Sequence, residues 1–137
     1  MTSSTAFALT GFIAWTLALL VLMEAIRSKM VLARQLPANA FVPDNSNLSP
    51  FMQRLARAHA NCLEGFPVFG GLMVVALITD HAAVTDPLAP WLLAVRILQS
   101  SIHLASVSPT AVTLRFTAFA VQMVIAAFWS WRLLVQA

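Results

Sequence analysis

Apolar side chains fill four long stretches of the chain, residues 5–26, 51–79, 88–105 and 110–135, and polar residues gather between them. Each stretch is close to or longer than the roughly 20 residues that a helix needs to cross a bilayer. Period-two alternation is absent, which disfavours a transmembrane barrel. The pattern therefore predicts an all-α membrane protein, a four-transmembrane-helix bundle forming a single domain over residues 1–137, with no internal repeat.

The second stretch is too long for a simple span. Its 29 residues at about 1.5 Å each would extend roughly 43 Å, against a hydrocarbon core of about 30 Å. Its first turns are expected to project beyond the core, and Pro67 inside it predicts a kink near Leu63. The link before it, "RQLPANAFVPDNSNLSP", carries three prolines and a cluster of Asn, Asp and Ser, and reads as an irregular loop. Glu24, near the end of the first helix, is expected to pair locally with Arg27 or Ser28. Trp91, Trp129 and Trp131 sit where interfacial aromatic anchors belong.

Composition agrees with this picture: 60% of the 137 residues are hydrophobic and 9% are charged, where a soluble domain carries about 25% charged residues. The basic residues Arg27, Lys29, Arg34, Arg54 and Arg57 cluster around the first link, whereas the link "DHAAVTDPLAP" has acids and no Lys or Arg. By the positive-inside rule the first and third links are cytoplasmic and both termini lie on the other side, most simply in the cell's inner membrane. Without a basic leading segment, the first apolar run reads as a retained span. The net charge of +3, spread over a membrane bundle, is no nucleic-acid-reading surface. Cys62 is the only cysteine and reads as a small packed hydrophobe. No metal-ligand cluster is expected.

Placed at 100° per residue, Arg57, Asn61 and Glu64 share one face of the second helix with Arg54 beside them, while His59 points away. Arg96, Gln99, Ser100 and His103 share a face of the third helix, and Arg115, Phe119 and Gln122 a face of the fourth. The second and third helices run in opposite directions, so depth pairs their stripes: Arg57 with His103, Asn61 with Gln99, Glu64 with Arg96. The last level lies roughly 15 Å from the starting points at about 1.5 Å per residue. A charge at mid-span costs about 2.5–3.5 kcal/mol even on insertion scales, so Glu64 and Arg96 are expected to form an ion pair, direct or bridged. Arg54, Arg57, Arg96 and Arg115 face one carboxylate, Glu64. That surplus of positive charge points to a site for a small anion rather than to a self-neutralising structural network.

The run "RAHANCLEGFPVF" at residues 57–69 resembles the second-helix signature of the MAPEG family, the membrane-associated proteins in eicosanoid and glutathione metabolism. "RILQSSIHL" on the third helix and "LRF" opening the fourth are similar to that family's pattern too. The resemblance, to a bacterial-type member similar to the microsomal glutathione transferases, implies a homotrimer that binds glutathione as co-substrate between neighbours near the cytoplasmic face and acts on a hydrophobic electrophile. It implies glutathione contacts for Arg57, Asn61, Glu64 and Arg96, and thiolate stabilisation by Arg115; Arg54, Gln99 and His103, on the same polar stripes, are expected to join the binding site. The chain departs from its eukaryotic relatives in having no tyrosine: Gly65 and His103 stand at positions where some of them have one. Two other readings stay open, a non-catalytic glutathione- or anion-binding membrane protein and a structural membrane protein.

Overall fold

Three of the helices begin at a serine that caps them. The computed structural model describes residues 3–137, and in it Ser3, Ser49 and Ser108 accept hydrogen bonds from the backbone N–H groups of Ala6, Met52 and Ala111 at 3.0, 3.3 and 3.2 Å. A serine oxygen at this position satisfies a donor that the first helical turn leaves open. Two of these serines precede a proline, which suits the first helical position because it has no N–H to leave unpaired. The resulting helices are α1 (Ser4–Leu32), α2 (Pro50–Ile78) and α5 (Pro109–Gln136), with α3 (Ala82–Thr85) and α4 (Ala89–Ala105) between the last two. No strand occurs among the described residues.

α1, α2 and α5 are each long and apolar enough to cross a membrane, so the chain is an integral membrane protein in a lipid bilayer. The third apolar stretch forms the 17-residue α4, about 25 Å long at 1.5 Å per residue and slightly short of the core. The middle of the acidic link winds into α3, whose Val84 and Thr85 are buried. α2 runs through Pro67 without interruption.

α4 packs against α1, α2 and α5, and α1 and α5 flank it. That central place explains why its polar residues are inside: Arg96, Gln99, Ser100 and His103 are all buried. The apolar core around them includes Phe12, Leu55, Met73, Leu92 and Trp129.

Two polar clasps tie the bundle at its ends. At one end the carboxylate of Asp86 accepts from both the backbone N–H and the hydroxyl of Thr5, at 2.9 and 2.6 Å, and Thr85 shares the hydroxyl at 2.6 Å. This places an acid on the positive end of the α1 dipole. At the other end Arg27 binds Glu24 at 3.0 Å, as the sequence predicts, and also Asn45 and the Val42 carbonyl. Asn45 adopts φ 56, a left-handed conformation that asparagine tolerates better than most residues, and its amide donates to the Met52 carbonyl at 2.7 Å.

Candidate functional site

Between α2, α4 and α5 the polar stripes meet around a cavity of about 310 Å³, within the range of small-molecule sites. Arg57, Asn61 and Glu64 come from α2, Arg96 and Gln99 from α4, and Arg115 from α5. Val112, Phe116 and Phe119 give it an apolar wall. A second cavity of similar size shares Arg57 and Arg115 and adds Gln53, Arg54, His103 and Val107. Six of the eight site residues named from the sequence thus line the first cavity, and Arg54 and His103 line the second.

Arg96 is the least exposed charged residue of the site, at 0%. Its guanidinium lies beside two neighbouring phenyl rings, 5.4 Å from the centre of Phe12 and 5.5 Å from that of Phe69, where ring quadrupoles favour a cation. Gly65 leaves the space that the guanidinium enters, because a Cβ there would stand 2.9 Å from Nη2. Nε and Nη2 have no hydrogen-bond partner. The direct ion pair expected with Glu64 is therefore not formed; the one salt bridge among the described residues joins Arg27 to Glu24. Equal depth on two helices brings Glu64 and Arg96 to the same cavity, but the opening at Gly65 lets Arg96 turn toward the aromatic rings instead.

The neighbouring rungs also differ from the depth matching. Asn61 meets His103, with 3.3 Å between the amide nitrogen and Nδ1, rather than Gln99. Gln99 turns to α5 and accepts from Gln122 at 2.7 Å. Cys62, buried as expected, lies 3.5 Å from Ser100. Long polar side chains reach a full turn along the axis, so depth alone does not settle their partners. Arg54 donates to the Leu104 carbonyl at 2.8 Å and so holds the carboxyl end of α4, where the last carbonyls lack helical partners. Arg115 places Nη1 3.2 Å from each ring nitrogen of His103, and its Nε is buried without a partner.

His59 lines a separate apolar groove with Ile13, Leu17 and Leu63, away from the stripe as predicted. Phe12, Val112 and Phe116 are contributors that sequence reasoning missed. A phenylalanine in a uniformly apolar helix carries no signal that distinguishes a cation's partner from core.

The site's donors far outnumber its acids. Arg57, Arg96 and Arg115 stand with Glu64 as the lone carboxylate, which suits a ligand carrying more negative than positive charge. A family model, that of the MAPEG family, matches residues 5–135 of the chain. No curated protein and no solved structure matches it.

Proposed function

The chain belongs to the MAPEG family, and on that premise we propose that it is a glutathione-dependent transferase or peroxidase-like enzyme acting on hydrophobic electrophiles. Members of this family include glutathione transferases and related membrane proteins, and the family generally uses glutathione. The observation that carries the reading is Arg96, wholly buried with two guanidinium nitrogens unpartnered beside a cavity. A buried charge without a counter-ion costs several kcal/mol, and an anionic ligand supplies what the fold withholds.

The donor set fits glutathione, which has two carboxylates, one ammonium and a thiol. Arg57 and Arg96 suit the carboxylates, Glu64 the ammonium, and Asn61 and Gln99 the peptide groups. Arg115 holds the sulfur as thiolate, since a guanidinium favours the ionised form of a thiol that otherwise titrates near 8.5. Conjugation then forms a sulfur–carbon bond while the electrophile's leaving group or opened oxygen takes the electron pair. The apolar wall of Val112, Phe116 and Phe119 gives a lipid-borne electrophile its approach.

A single chain leaves Glu64 and Arg57 exposed, and Glu64 is the fifteenth of the 29 residues of α2. A charge facing lipid at that depth costs about 2.5–3.5 kcal/mol. A neighbouring copy covering this face removes the cost and closes the cavity, in keeping with a homotrimer. The basic first link favours a site toward the cytoplasm, with both termini on the far side.

The test is calorimetric titration of glutathione into the detergent-purified protein and into Arg57→Ala, beside turnover over a panel of electrophiles. Saturable binding lost in the variant, with turnover, supports the proposal. Binding without turnover leaves a glutathione-binding protein, and no binding by folded protein leaves a structural one.

A further inference from the structure

Arg115 is held by an unusual partner. Among the described residues its only hydrogen bonds go to His103, and no carboxylate pairs with it. His103 is 4% exposed and lies outside the first cavity, which Arg115 lines. Asn61, on the opposite helix, places its amide nitrogen 3.3 Å from His103 Nδ1. Three helices thus each give one link of a chain, Asn61 of α2, His103 of α4 and Arg115 of α5.

The chemistry of the three groups fixes the direction of this chain. A guanidinium donates only, and an Asn amide nitrogen donates only. Asn61 meets Nδ1, and Arg115 Nη1 stands 3.2 Å from Nδ1 and from Nε2 alike, so a neutral ring offers Arg115 an acceptor nitrogen in either tautomer. The choice of an imidazole has a consequence that a carboxylate would not have. An acid in this place would orient Arg115 but also neutralise it, whereas a neutral acceptor fixes the guanidinium and leaves its full charge for a ligand. Arginine carries about 2 kcal/mol of rotamer entropy, so an unanchored Arg115 would spread over several positions.

We propose that His103 is a positioning residue: steadied by Asn61, it accepts a hydrogen bond from Arg115 and aims that guanidinium at the place where the ligand's sulfur sits. The inference rests on the proposed glutathione site for its consequence, while the His103–Arg115 contact itself is independent of any ligand.

Leucine and asparagine have nearly the same shape, and only asparagine presents an acceptor near the position of Nδ1. The experiment compares His103→Leu with His103→Asn by calorimetry, using two unreactive probes. One is the sulfonate analogue of glutathione, with a negative charge on the oxygens bound to sulfur; the other is S-methyl glutathione, which has no charge there. Their affinity ratio reads how strongly the site favours negative charge at the sulfur end, the end assigned to Arg115, since the probes share the rest of the molecule. The ratio is expected to fall about tenfold in His103→Leu, the loss of a well-aimed charge-assisted contact, and to stay within about threefold of wild type in His103→Asn. Equal ratios in wild type and His103→Leu would overturn the proposal.

A second measurement needs no ligand. The nitrogen NMR signals of histidine-labelled protein are compared between wild type and Arg115→Met, with a shift of the His103 Nδ1 signal expected. An unchanged signal would overturn the proposal. Should wild type bind neither probe, the glutathione reading fails, and the NMR comparison still decides whether His103 holds Arg115.

Discussion

Two arginines of this bundle receive opposite treatment. Arg27 is saturated: Glu24 pairs with it at 3.0 Å, Asn45 and the Val42 carbonyl accept from it, and Phe41 lies 5.5 Å beneath it. Arg96 is buried more deeply, yet no carboxylate pairs with it among the described residues; it lies beside the rings of Phe12 and Phe69, and its Nε and Nη2 stay open. The first arrangement ties α1 to the loop before α2 and asks for nothing further. The second keeps a cation inside the protein, stabilised enough to stay charged and open enough to receive an anion. Buried polar groups are normally paired, and those that are not call for an explanation; Arg96, with its two unpaired nitrogens, lines a cavity.

Arg115 is the second open cation, and its loss should have the largest effect. Arg115→Ala is expected to lower the rate of conjugation at least about 100-fold, in the range seen when a donor stabilising developing charge is removed. Glutathione binding should weaken yet remain measurable. Unchanged turnover in a steady-state assay would take Arg115 out of its role.

Thr5, Thr85 and Asp86 form a second saturated cluster, far from the cavity in sequence and contact. Asp86→Ala leaves the buried Thr5 hydroxyl and the first turn of α1 with fewer partners, and should cost about 1–2 kcal/mol of stability. Thermal unfolding in detergent reads that loss, and glutathione affinity should stay within about twofold. A loss of affinity without a loss of stability would blur the division between closed and open clusters.

The smallest change sharpens the comparison most locally. In Gly65→Ala the new Cβ would stand 2.9 Å from Arg96 Nη2 and 3.0 Å from the Phe69 ring. Either the guanidinium or the Phe69 ring must shift to make room. Affinity for glutathione is expected to fall about three- to tenfold, with stability changed by less than about 1 kcal/mol, as read by calorimetry and unfolding of the same sample.

Much of this was legible in the chain. The periodicity of the α2 stripe put Arg57, Asn61 and Glu64 together, and the count of depth along antiparallel helices brought Arg96 and Gln99 to them. The serine-proline steps at the starts of α2 and α5 were present as letters, though the helix bounds were read from hydropathy alone. What escaped was anything set by the path of a long side chain. Arg54 reaches back to the Leu104 carbonyl, and Arg96 passes over Gly65 to the rings instead of pairing with Glu64. The short α3 and the Thr5–Asp86 clasp depend on contacts between residues about 80 apart, which no local pattern encodes.

The most direct test sets Arg96→Leu beside Arg27→Leu and measures glutathione binding and thermal unfolding of both. Replacing a buried unpaired charge by an apolar residue is often neutral or stabilising, so Arg96→Leu should unfold at the wild-type temperature or above it while losing about 100-fold in affinity. Arg27→Leu leaves the buried Asn45 carbonyl oxygen without its donor and should lose about 1–3 kcal/mol of stability with affinity within about twofold. Wild-type affinity in Arg96→Leu, or a collapse of its fold, would contradict the claim that this arginine is kept open for a ligand.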